Sequence, residues 1–214
     1  MKRDTIYISF DMDSTLADED FDFLVWNEEI PKLYAEKYKL SIEQAQTKVY
    51  AEYYRALYVE KVGNWTDIDM WFKRLGLDNF SKLLNDMKSM ISVYPDVLEI
   101  LEYLSKKYKL IIITKSTKHF IDIKLEIEGL NNYFTQIFSA PDNFHSSKKN
   151  KEVFENVLAS LQIKPSQLIH IGDDHHDDFE VPQSLGIKAF HLVRSGKVKH
   201  AGSISSLSEL KKVL

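Results

Sequence analysis

The chain has 214 residues, 28 of them lysine or arginine against 32 aspartate or glutamate, for a formal net charge of −4. It contains no cysteine, which excludes disulfide scaffolds, thiolate metal sites and cysteine nucleophiles together. A content of 44% hydrophobic and 28% charged residues is that of a globular protein, and the mild acidity disfavours nucleic acid as a partner.

The apolar run after Met1 is too short for a secretory signal, and no stretch approaches the roughly 20 apolar residues of a membrane helix. The expectation is a cytoplasmic protein with no membrane partner, a monomer or a homodimer. Ile6-Tyr7-Ile8-Ser9-Phe10 predicts a first strand. It runs directly into Asp11-Met12-Asp13-Ser14-Thr15. Two carboxylates so placed can face one ligand, and their like charges call for a cation or a proton between them. A strand-ending turn, with side chains bonded to local backbone, accounts for the same residue types.

From about 19 to 90 the pattern is helical throughout. Ser41-Ile42-Glu43-Gln44 fits a capping box, and Ile42, Ala45, Val49, Tyr53, Ala56 and Leu57 follow at helical spacing. The same stretch holds all three tryptophans, Trp26, Trp65 and Trp71. Its aromatic residues read as the core of a small helical bundle, ahead of a dimer interface or an apolar substrate pocket.

Beyond residue 92 the periodicity alternates. Strands are predicted at 110–114, 137–139, 168–171 and 189–193, and helices at 97–107, 120–130, 153–161 and 179–185, with a polar loop at 142–151. Such alternation predicts right-handed βαβ units in a doubly wound parallel α/β sheet. Residues 1–18 and 91–214 would form that core and 19–90 the insertion, seated above the strand end where α/β ligands bind.

Three more groups fall at or near strand ends. Thr114-Lys115-Ser116-Thr117 offers a hydroxyl and free N–H groups, as a phosphate seat or as a helix cap. Lys148, Lys149 and Lys151 precede Val153-Phe154 and read as a solvated face from which one can turn inward. Gly172-Asp173-Asp174-His175-His176-Asp177-Asp178 packs four aspartates into six positions, a set suited to a hard cation with oxygen ligands, magnesium best. His175 and His176 read as solvent-facing, because adjacent histidines do not share a helix face and no thiolate completes a zinc site.

Taken in order, Asp11-x-Asp13-x-Thr15, Thr114, a lysine near 148 and Gly172-Asp173-Asp174-x-x-x-Asp178 resemble the four motifs of the haloacid dehalogenase superfamily. The resemblance implies a Rossmann-like core with an inserted helical cap. It also implies a magnesium-dependent phosphatase that hydrolyses a small phosphate ester through an aspartyl-phosphate. In that scheme Asp11 is the nucleophile and Asp13 the general acid and base. Thr114, Lys115, Ser116 and Lys148 hold the phosphate, Lys148 being chosen for its spacing to Phe154, with Lys149 and Lys151 as alternatives. Magnesium takes Asp11, the backbone carbonyl of Asp13 and Asp173, supported by Asp174 or Asp178. Asp13 points to phosphate esters, since a leaving halide needs no acid. Ser14, where glycine is commoner, and Lys115, where a small polar residue is usual, depart from the pattern. Competing readings are a phosphomutase of the same superfamily and a catalytically silent binding protein; the presence of both Asp11 and Asp13 opposes the second.

Overall fold

The computed structural model describes residues 5–63, 65–194 and 200–214. Six strands, β1 (Tyr7–Phe10), β2 (Lys109–Thr114), β3 (Phe134–Ser139), β4 (Leu168–Gly172), β5 (Lys188–Leu192) and β6 (Ser203–Ile204), form one sheet in the order β3-β2-β1-β4-β5-β6. Every pairing is parallel, so all the carboxyl ends share one edge. The chain leaves the central β1 toward β2 and β3, then returns to β4 on its other side. That reversal opens the crevice in which doubly wound sheets bind ligands.

Both faces of the sheet are covered, as continuous apolar strands require. Leu110 and Ile112 enter one core with Ile8 and Phe10, beneath α6 (Val97–Ser105), α7 (Lys118–Glu126) and α11 (Leu210–Val213). Ile111 and Ile113 enter the other, against Val153, Phe154 and Val157 of α9 (Lys151–Leu161).

Between β1 and β2 stand α1 (Asp20–Leu24), α2 (Ile30–Tyr38), α3 (Ile42–Tyr54), α4 (Ile68–Arg74) and α5 (Phe80–Asp86). Ser41 caps α3 in a complete capping box with Gln44. These helices bury their own cluster, including Phe21, Val25, Ile68 and Phe72, which Phe120 and Ile123 of α7 join from below. The entering and leaving chains lie side by side, with Asp18 N–H on the Ser92 carbonyl at 3.0 Å and Tyr94 N–H on that of Leu16 at 3.1 Å.

Several boundaries differ from the sequence expectation. β3 starts at Phe134 rather than 137, because its first residues are mostly exposed at the sheet edge and form no apolar run. The helix expected to reach 130 stops at Glu126, and a left-handed turn at Glu128 (φ 51°) and Gly129 (φ 67°) follows. The polar stretch at 142–151 is not loop throughout: α8 (Ala140–Phe144) occupies its start, capped by Ser139 Oγ, which accepts from Asp142 N–H. The helix expected at 179–185 begins as a wide turn at His175–Glu180 and continues as α10 (Val181–Ser184). β6, two residues long, gave no sequence signal. Among the described residues no helix is long and apolar enough to cross a membrane.

Candidate active site

Asp11 follows the last residue of β1, at the crevice, and is 4% exposed. Its N–H reaches the Ile171 carbonyl at 2.9 Å, tying it to the end of β4. Lys149 stands against it, Nζ 2.9 Å from Asp11 Oδ1 and 2.5 Å from Asp178 Oδ1, and its side chain is wholly buried. These are contacts of charge without hydrogen-bond alignment, and they leave Asp11 Oδ1 with no hydrogen-bond donor.

Asp178 is held from several sides. His170 Nε2 lies 2.8 Å from its Oδ1, and Asp174 N–H donates to its Oδ2 at 3.1 Å. Behind it, Ser9 Oγ is 2.7 Å from His170 Nδ1. Gly172 makes room for this carboxylate, since a Cβ at that position would overlap it.

Carboxylate oxygens of Asp11, Asp173 and Asp178 all lie within 4.8 Å of one another. Burial pushes the Asp173 carboxyl up to about 7, and the charges of Asp11 and Asp178 add to it. Burial also raises Asp11, against the pull of Lys149. Burial acts in the same sense on Asp178, but Lys149 and His170 outweigh it and hold this carboxyl well below the usual range. An all-oxygen donor set, one buried oxygen without a donor and a carboxylate whose charge is disfavoured fit a hard divalent cation.

Asp13 stands apart from this trio and lines the cleft. Its two oxygens meet Ser116 Oγ, which donates, and the ammonium of Lys124. Between the two aspartates and Thr15 the backbone turns through Ser14 at φ 56°, the left-handed region that glycine occupies freely. Thr114 is buried at the end of β2, where its Oγ1 accepts from Ser116 N–H at 3.2 Å.

Of the candidate lysines, the structure brings Lys149 to Asp11 and Asp178. Lys148 is exposed on the cleft wall, and Lys149 is the one turned inward. A tight turn, in which Ser146 Oγ bonds both the N–H and the carbonyl of Lys148, directs Lys148 outward. Lys149 N–H then points to Asp177 Oδ2 at 3.4 Å, just ahead of the Asn150 cap of α9.

Of the two alternatives Asp174 and Asp178, Asp174 lies outside the trio and caps the turn after β4, its Oδ1 accepting from the N–H groups of His176 and Asp177 at 2.9 Å. Lys115 is drawn to the same turn, 3.2 Å from Asp174 Oδ2 and 3.5 Å from Asp177 Oδ2. Lys124 carries a contact that sequence reasoning missed. Wholly buried, it bridges Asp13 of the core and Asp22 of α1, the latter at 2.7 Å. Its spacing of four from Phe120, on the apolar face of α7, was the available signal.

Next to the trio, over Asp13 and Lys115, opens a cleft of about 720 Å³. Asp13, Lys115 and Ser116 line it from the core, and Phe23, Trp26 and Trp65 from the helical insertion. Trp71, by contrast, is buried core.

A parallel α/β sheet with clustered carboxylates and a buried lysine at its carboxyl edge carries a charged site where doubly wound folds bind their ligands. The chain belongs to the haloacid dehalogenase-like hydrolase family, whose sequence profile matches residues 8–192. It is 26% identical over 189 residues to the GMP/IMP nucleotidase YrfG of Escherichia coli (strain K12), covering 87% of this chain and 82% of that one. Over 90 residues, 42% of this chain and 41% of the relative, it is 31% identical to the pyrophosphatase PpaX of Anoxybacillus flavithermus. The crystal structure of a HAD phosphatase from Thermococcus onnurineus superposes with a TM-score of 0.80 at 26% identity, covering 98% of this chain and 97% of that one. A 2-haloacid dehalogenase from Pseudomonas syringae pv. Tomato DC3000 shares the fold, with a TM-score of 0.72 at 22% identity, covering 98% of this chain and 97% of that one.

Proposed function

We propose that the chain is a magnesium-dependent phosphatase that hydrolyses a phosphate monoester through a phosphoryl-aspartate on Asp11. The observation that carries this is the convergence of Asp11, Asp173 and Asp178 with Lys149 at the crevice, beside Asp13 facing the cleft. Asp11 is the nucleophile: its carboxylate oxygen bonds to phosphorus as the ester P–O bond breaks, so one difficult displacement becomes two easier ones. Asp13 donates a proton to the departing alkoxide, then accepts one from the water that cleaves the acyl phosphate and releases inorganic phosphate. Thr114, the adjoining backbone N–H groups and Lys149 stabilise charge on the transferring group. Asp11, Asp173 and Asp178 would hold magnesium, which would supply the positive charge that lets an anionic ester approach a carboxylate.

The helices between β1 and β2, about residues 19–90, act as a cap that excludes water and selects the leaving group. Phe23, Trp26 and Trp65 give that cap an aromatic wall, which suits an ester bearing a flat ring, such as a nucleoside 5′-monophosphate. The cleft volume falls within the range of sites for ligands of that size. The likeness to a GMP/IMP nucleotidase supports the same substrate class.

The test is phosphate release from purine and pyrimidine monophosphates, small sugar phosphates and one aryl phosphate, with magnesium, with chelator and with Asp11→Asn. Magnesium-dependent release, absent in the variant and fastest on nucleotides, is expected. Release equal to the variant background on every compound contradicts the hydrolase, and a preference for small sugar phosphates contradicts the substrate class.

A further inference from the structure

At the turn after β4, three histidines distant in sequence converge. His175 opens the turn, His191 belongs to β5 and His200 precedes β6. One ring nitrogen from each lies within 4.8 Å of the others. The hydrogen bonds around them fix the tautomers. His191 Nε2 is 2.8 Å from the Asp173 carbonyl oxygen, which only accepts, so Nε2 carries the proton and Nδ1 a lone pair. His200 Nδ1 is 3.1 Å from the Ala201 carbonyl, which by the same reasoning leaves the lone pair on Nε2.

The two lone pairs face each other, with His191 Nδ1 and His200 Nε2 at 3.0 Å and their rings within 6° of parallel. Two acceptors at that distance repel unless an electrophile lies between them. A proton would serve two nitrogens; the third imidazole, whose ring centre is 4.9 Å from that of His200, gives a metal ion its third ligand. Glu180 Oε1 stands 3.5 Å from His175 Nδ1, so each ring has an oxygen partner of the sort that orients metal-bound imidazoles.

We propose that His175, His191 and His200 form a second metal site, distinct from the carboxylate site and selective for borderline divalent ions, zinc foremost. Imidazole nitrogens suit zinc, cobalt, nickel and copper, whereas magnesium takes oxygen ligands. Three histidines with an open fourth position form a known zinc geometry. Ring nitrogens about 3.4 Å apart would satisfy a tetrahedral ion, so the His191–His200 pair at 3.0 Å would open slightly as the trio gathers round it. The ion would staple the β4 turn to β5 and to the approach to β6. Through His191 it would also fix the backbone of Asp173. The site stands independently of the phosphatase reading.

Its test uses untagged, chelator-treated protein in excess magnesium, which fills the carboxylate site, titrated with zinc by calorimetry and with cobalt by visible absorption. One zinc per chain is expected, together with cobalt bands of tetrahedral intensity. His175→Gln and His200→Gln should each weaken zinc binding by about 100-fold or more. His176→Gln, at a neighbouring exposed histidine, and Asp11→Asn should leave it intact. His175 is half-exposed, so its variant keeps the fold, which circular dichroism checks. Zinc binding that survives both His175→Gln and His200→Gln, that disappears with Asp11→Asn, or that excess magnesium abolishes, overturns the proposal.

Discussion

Lys149 supplies the positive charge between two buried carboxylates, and removing it leaves Asp11 and Asp178 confronting each other in the interior. Breaking a buried ion pair from one side costs about 3–5 kcal/mol. Lys149→Met should therefore lower unfolding stability by that order in metal-free urea melts, while Lys148→Met, at the exposed neighbour, should leave it unchanged. Asp22 gives a prediction in pH. Burial, outweighing Lys124, pushes its carboxyl up from 3.8 to about 7. Below about pH 4 both folded and unfolded chains hold this proton; between 4 and 7 only the unfolded chain releases it, so stability falls as pH rises through that window and levels off above it. Asp173 adds a loss of the same sign in metal-free protein. Thermal melts of metal-free Asp22→Asn should thus decline less from pH 4.5 to 7.5 than those of the parent, and an equal decline would refute the assignment. At this scale the placement of Asp11, Asp13, Thr114 and Asp173 at the carboxyl edge of the sheet was legible, because each stands next to an apolar strand end. The choice of Lys149 over Lys148 was not, because it depends on a turn closed by Ser146 that spacing to Phe154 does not reveal.

Among the elements, the turn after β4 leaves least freedom. Asp178 folds back over Gly172, so Gly172→Ala must displace that carboxylate or its own strand. A drop in hydrolysis of more than about tenfold, corresponding to about 1.4 kcal/mol of transition-state stabilisation, is expected from steady-state kinetics. In the insertion, Ser41→Ala removes half of the capping box on α3 and should cost about 1 kcal/mol without changing the chemistry of the core. Strands β1, β2 and β4 were readable as apolar runs because both of their faces are covered. β3 was partly hidden by its exposed edge, and the α7 boundary by the left-handed pair Glu128 and Gly129, since only Gly129 signals such a turn in sequence.

Across the whole molecule α7 joins two apolar clusters. Ile121 and Leu125 pack into the sheet core, while Phe120 and Ile123 enter the core of the insertion. Phe120 also stacks on Trp26 at 5.5 Å, and Lys124 pairs with Asp22 across the same boundary. Truncating a buried phenylalanine costs about 3–5 kcal/mol. Phe120→Ala should spend that loss mainly on the seating of the helices, read as faster hydrogen exchange in α1 and α4 than in β1 and β2. The doubly wound sheet with its helical insertion was legible from the alternation of periods. The bridge through Lys124 was not, because one lysine within an apolar helix face looks like a solvated charge until the partner across the boundary is known.

The proposed covalent chemistry at Asp11 is measured most directly by acid-quenched turnover followed by mass spectrometry of the peptide that holds it. Magnesium-dependent, acid-stable phosphorylation of that peptide, absent in Asp11→Asn, is the predicted result. Sustained phosphate release with no phosphoryl group on Asp11 at any quench time would contradict it.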